Sequence, residues 1–131
     1  MCMIPIRVLI VDDVAYVREE LALVLSLSGD IAVAGAAADG LEAIRQAEAL
    51  HPEVVLMDLE MPVMDGPEAA RQIKMRLPGC RVIALTIHDT EASRERCMQA
   101  GMDDFVVKGA SVDALLQAIR RPGEWEEGDI R

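Results

Sequence analysis

Aromatic side chains are nearly missing from this chain: Tyr16, Phe105 and Trp125 are the only ones among 131 residues. A length that fits one domain must therefore build an aliphatic core, with eight methionines available to fill gaps. Basic charge is scarce as well. Thirteen Lys and Arg face 23 Asp and Glu, a net of −10. A surface that acidic repels phosphate backbones, which argues against direct nucleic-acid binding by this domain. Cysteine is limited to Cys2, Cys80 and Cys97. An odd, widely spaced set without a C-x-x-C pair implies neither a disulfide framework nor a zinc site, and it suits a reducing cytoplasm. No apolar run approaches the ~18 residues of a membrane span. Asp12 and Asp13 also interrupt the N-terminal apolar stretch too soon for a signal sequence. The expected location is cytoplasmic. Neither G-x-x-x-x-G-K-[ST] nor G-x-G-x-x-G occurs, so no nucleotide P-loop or dinucleotide fingerprint is expected.

What the chain does have is a regular alternation of short β-branched runs and amphipathic stretches. Arg7 to Val11, Ile31 to Ala37, Val54 to Met57, Arg81 to Leu85 and Phe105 to Val107 read as strands. Between and after them lie five helical patterns. Val14, Val17, Leu21, Val24 and Leu25 mark the first, and Leu41, Ile44, Ala47 and Leu50 the second. Ala70, Ile73 and Leu77 give the third its stripe, with Pro67 in its first turn where a missing N–H costs nothing. The fourth, about Thr90 to Ala100, is poor in large apolar groups, and Val112, Leu115, Leu116 and Ile119 line the fifth. Five βα units in series predict a parallel sheet with helices on both faces and right-handed crossovers. The domain is expected over residues 5–121, with 122–131 an acidic tail or the start of a linker. Trp125 in that tail either anchors a partner, packs onto the domain or belongs to a disordered end.

The ends of the strands carry the chemistry. The first run ends in Asp12-Asp13, the third in Asp58, the fourth in Thr86 and the fifth in Lys108. C-terminal strand ends in a parallel sheet share one edge, and open α/β sheets bind ligands in the crevice there. Three carboxylates and one ammonium leave an excess of about two negative charges, which one divalent cation neutralises. Mg²⁺ suits such a place because it takes oxygen ligands and keeps several waters. A carboxylate there can act as nucleophile toward a phosphoryl group, while the metal and Lys108 stabilise the transferring charge. The Thr86 hydroxyl could bond a phosphoryl oxygen. A haloacid-type phosphatase does not fit, because Asp12-Asp13-Val14 lacks a second aspartate two residues after the first.

Val11-Asp12-Asp13, Met57-Asp58-Leu59-Glu60-Met61-Pro62-Val63-Met64-Asp65-Gly66, Ala84-Leu85-Thr86 and Phe105-Val106-Val107-Lys108 together resemble the receiver domain of bacterial two-component response regulators. The likeness runs from about Ile6 to Arg121. Lys108-Gly109-Ala110-Ser111 is similar to receivers joined to helix-turn-helix (NarL/LuxR-like) transcriptional regulators. The resemblance implies a flavodoxin-like doubly wound five-stranded parallel sheet, strand order 2-1-3-4-5, with five helices. It implies that Asp58 accepts a phosphoryl group from a sensor histidine kinase or phosphotransfer protein. Asp12, Asp13, Asp58 and the backbone carbonyl of Glu60 would hold Mg²⁺, and Lys108 would bind the phosphoryl group. Thr86 and Phe105 would act as switch residues, altering partner binding or homodimerisation through the face of the fourth helix, fifth strand and fifth helix. Such a domain transfers the phosphoryl group to itself and loses it slowly, without being an enzyme in the ordinary sense.

The sequence departs from that pattern in places. Gly109 stands where the family usually has proline, so a trans or a strained bond is expected after Lys108. Ile87 stands where many relatives carry alanine and is expected to narrow access to Asp58. Glu60 and His88 flank the site where the family tunes phosphoryl lifetime. Phe105 also fits a plain core aromatic, His88 a solvated loop histidine, and His51 a structural role. A phosphorylation-independent interaction module with the same fold is the alternative function. The receiver could stand alone or precede a DNA-binding domain.

Overall fold

The β-branched runs form strands where the sequence predicts them, and the computed structural model describes residues 4–121. The tail over 122–131, with Trp125, lies outside the described residues, as does Cys2. The elements alternate as β1 (Ile6–Val11), α1 (Ala15–Ser26), β2 (Ile31–Ala37), α2 (Gly40–Leu50), β3 (Val54–Asp58), α3 (Gly66–Arg76), β4 (Arg81–Thr86), α4 (Glu91–Gln99), β5 (Asp104–Val107) and α5 (Val112–Arg120). All strand pairs are parallel and the order is β2-β1-β3-β4-β5. This is the flavodoxin-like arrangement expected. The chain order reverses between β1 and β3, so the crevice beyond their C-terminal ends is the topological switch point.

Alternate residues along each strand serve two aliphatic layers. Leu9, Val11, Val55, Met57, Val82 and Ala84 pack against Ala43, Ile44 and Ala47 of α2, Ala69, Ala70 and Ile73 of α3, and Cys97 of α4. Val8, Ile10, Val54, Leu56, Ile83, Leu85 and Val106 pack against Leu25 of α1 and Leu115, Ala118 and Ile119 of α5. Helix starts follow capping chemistry. Asp39, Asp65, Thr90 and Ser111 each accept the backbone N–H three residues on, at 2.8, 3.0, 3.1 and 3.1 Å.

Three expected stripe residues fail to reach the core. Val14 precedes α1 as its N-cap and is 48% exposed, because its N–H is taken by the Asp12 carboxylate and its backbone is held extended. Leu41 and Val112 lie in the first turns of α2 and α5 and are also exposed. α4 is the least embedded helix, with Cys97 its one buried residue.

Candidate functional site

Asp12 follows β1 and is 0% exposed. A carboxylate so placed needs partners for its charge, and the local chain supplies them. Oδ1 accepts the Val14 N–H at 2.9 Å, and Oδ2 accepts from Lys108 Nζ at 2.8 Å. The Asp12 backbone is fixed on both sides, by its N–H to the Ala37 carbonyl at 3.1 Å and by Arg18 Nη1 on its own carbonyl at 2.7 Å. Asp13 is exposed beside it. Asp58, the last residue of β3, is 7% exposed. Gly66 lies directly behind it: a Cβ there would stand 2.3 Å from the Asp58 carbonyl oxygen. Only glycine lets α3 begin against the backbone that presents Asp58.

One carboxylate oxygen from each of Asp12, Asp13 and Asp58 lies within 4.8 Å of the other two. Lys108, arriving from the end of β5, places Nζ 3.3 Å from Asp58 Oδ1 as well as on Asp12. One ammonium therefore serves two of the three carboxylates, Asp12 and Asp58. Burial pushes the Asp58 carboxyl up to about 6, the Asp12 charge adds to that rise, and Lys108 opposes it. Burial works to lower the Lys108 pKa, yet its bonds and attraction to Asp12 and Asp58 leave it above its ordinary value. A site that retains excess negative charge after its lysine is paired fits a hard cation with oxygen ligands.

The flanking residues fall around this crevice. Thr86 ends β4, is buried, and its Oγ1 accepts the His88 N–H at 2.9 Å. His88 Nε2 stands 3.0 Å from Glu60 Oε1, so the loops after β3 and β4 touch. Ile87 is 68% exposed. Phe105 lies in β5 and is buried, with the Arg94 guanidinium 4.6 Å from its ring centroid. The Lys108–Gly109 bond is trans, since no cis peptide occurs among the described residues, and Gly109 has φ +92. Proline, locked near −65°, could not adopt that backbone. Val63 has φ +72 between Pro62 and Met64, whose N–H bonds the Pro62 carbonyl at 2.8 Å. This tight turn carries local strain beside the site. The residues named from the sequence thus lie along one edge, with Phe105 one strand-length deeper. Sequence patterns mark Gly66, as part of Asp65-Gly66 at the turn into the third helix, but give no sign of the contacts that Arg18 and Arg94 make.

Strand order 2-1-3-4-5, with aspartates at the switch point and a lysine reaching them, defines a doubly wound α/β domain with an acidic crevice suited to a cation. Residues 8–120 match the response regulator receiver domain, and the chain belongs to that family. It is 40% identical over 121 residues to the response regulator protein VraR of Staphylococcus aureus, covering 92% of this chain and 58% of VraR. The chain thus spans a little over half the length of these curated relatives. Among solved structures, the response regulator domain of Thermotoga maritima CheB aligns with TM-score 0.80 at 35% identity, over 88% of this chain and 94% of that one. A LuxR-family two-component response regulator from Aurantimonas sp. aligns with TM-score 0.84 at 33% identity, over 88% and 82%. No helix among the described residues is long and apolar enough to cross a membrane.

Proposed function

We propose that this receiver, spanning residues 5–121, accepts a phosphoryl group on Asp58 from the phosphohistidine of a sensor histidine kinase or phosphotransfer protein. The observation that carries this reading is the cluster itself: three carboxylates and one ammonium at the switch point, with the Asp58 carboxyl raised to about 6. At neutral pH Asp58 is chiefly ionised and retains nucleophilic lone pairs. An Asp58 oxygen attacks phosphorus as the P–N bond breaks, and the electron pair leaves on the imidazole nitrogen. Lys108, within reach of Asp58, balances negative charge on the transferring oxygens. Asp12, Asp13, Asp58 and the Glu60 carbonyl would hold Mg²⁺, which when bound supplies the positive charge that one lysine cannot. Each chain takes up one group and loses it slowly to water, so the domain is a switch rather than a turnover catalyst. Ile87, Glu60 and His88 would set access for donors and water, the His88–Glu60 contact spanning the two loops.

The aspartyl phosphate carries about −2 charge and three acceptor oxygens. Thr86, whose hydroxyl lies at the end of β4, would move toward it, and Phe105 would reorient in β5, shifting a pre-existing equilibrium. The α4–β5–α5 face would then change partner preference or self-associate. A shallow cavity of about 270 Å³ lined by Phe105, Val107, Ala110, Ala114 and Gln117 lies there. The matched region covers only part of the curated relatives, and the likeness to a LuxR-family response regulator favours a transcriptional output for the whole protein. The −10 charge argues against nucleic-acid contact through the receiver itself. Buried free thiols at Cys80 and Cys97 suit the cytoplasm.

Intact mass after incubation with Mg²⁺ and acetyl phosphate tests the proposal. One phosphoryl group is expected on the wild type and none on Asp58→Asn. Silence in both the wild type and Ile87→Ala would contradict it and favour a phosphorylation-independent module.

A further inference from the structure

α4 is tied down by polar contacts more than by burial. Cys97 is its one buried residue, and Arg96 reaches Asp65 of the α3 cap at only 3.4 Å. Arg94 makes the more informative contacts. Its Nε donates to Asp89 Oδ1 at 2.9 Å, while its guanidinium lies over the Phe105 ring at 4.6 Å. Asp89 belongs to the loop between β4 and α4, and that loop begins by donating the His88 N–H to Thr86 Oγ1 at 2.9 Å. One side chain therefore joins the helix, the loop leaving the acidic crevice, and the ring in the neighbouring strand. A planar guanidinium can stack on an aromatic face while its edge bonds a carboxylate, which an ammonium cannot match. An exposed Arg–Asp pair alone contributes little. Here the second contact fixes the same group over a buried ring, so the loop cannot shift at Asp89 without disturbing Phe105.

We propose that Arg94 is a positioning residue that couples the β4–α4 loop to Phe105 and holds Thr86 in its present place. The inference rests on the switch reading above. It assigns to Arg94 the contact through which movement at the phosphoacceptor site and movement in β5 constrain one another.

Amide hydrogen exchange on the full chain, without any phosphodonor, reads this directly. Arg94→Met keeps the apolar stem and removes the cation. It is expected to speed exchange across residues 87–99 about three- to tenfold, leaving β1 and β3 unchanged. Arg94→Lys should recover part of the protection. Phe105→Leu should produce a similar local rise, and adding it to Arg94→Met should produce little more, because both remove one contact. Labelling by acetyl phosphate should also quicken in Arg94→Met by about the same factor. Unchanged exchange over 87–99, a uniform rise across the sheet, or rises from the two variants that simply multiply would overturn the proposal. So would faster exchange with an unaltered labelling rate in a wild type that does take phosphate. If the wild type takes none, the phosphoacceptor reading fails, and the exchange pattern still decides whether Arg94 joins the loop to Phe105.

Discussion

At the end of the sheet where the strands begin, three carboxylates each have a cation of their own. Lys74 Nζ lies 2.9 Å from Asp103, Arg121 bonds Asp104, and Arg120 brackets Asp30. Bonds from Arg120 and Ser28 hold the Asp30 carboxyl well below the usual range. At the end where the strands finish, Asp12 and Asp58 share Lys108 with Asp13 clustered beside them, and the Asp58 carboxyl rises to about 6. The same residue types in one small domain are thus arranged in two ways. Paired charges hold elements together, and under-neutralised charges leave a place for a cation and a phosphoryl group. The cost of that second arrangement is local instability, which experiment can expose.

The largest effect should follow loss of Lys108, whose ammonium is paired with the Asp12 and Asp58 carboxylates. Lys108→Met leaves the fully buried Asp12 without its charged partner, and urea denaturation at neutral pH should register a loss of about 3–5 kcal/mol. Asp58→Asn should act in the opposite direction. It removes a charge held at a raised pKa, so the metal-free protein at pH 7.5 should gain roughly 2–3 kcal/mol. The sign follows from proton binding. Between the ordinary value near 3.8 and about 6 the folded state holds the Asp58 proton more tightly than the unfolded chain does. The penalty is therefore absent below the lower value, grows as pH rises, and is complete above the upper one. Wild type and Asp58→Asn should converge in stability below pH 3.8, separate progressively up to about 6, and keep a constant difference above it.

The paired end supplies the contrast. Asp104→Asn weakens the pairing with Arg121 and should cost about 1–3 kcal/mol, by the same amount with or without Mg²⁺. At the acidic end Mg²⁺ itself should stabilise, by about 1.4 kcal/mol at tenfold excess over its dissociation constant. Asp13→Ala should abolish the accompanying rise in Tm. Equal Mg²⁺ responses in Asp104→Asn and Asp13→Ala would erase the distinction between the two ends.

Much of this arrangement was legible in the sequence because buried parallel strands are continuous apolar runs and end abruptly. Asp12, Asp58, Thr86 and Lys108 each mark such an end, and the parallel sheet brings those ends together. Helix faces were harder to read. Val14 matched the helical period, yet the Asp12 carboxylate holds its N–H and keeps it outside α1. Leu41 and Val112 matched it too, yet each sits in the first turn of its helix and stays exposed. Contacts across the chain left no local trace at all. Nothing near Arg18 signals that it bonds the Asp12 carbonyl, and nothing near Arg94 signals the ring of Phe105. The glycine after Lys108 was visible as a departure, and its φ of +92 supplies the reason.

The central claim is that the crevice keeps Asp58 short of positive charge until a cation arrives. Carbon-13 NMR titration of the Asp58 carboxyl, with and without Mg²⁺, tests it most directly. The metal-free protein should show a midpoint near 6, displaced to clearly lower pH when Mg²⁺ is added. A midpoint near 3.8 that ignores Mg²⁺ would contradict it.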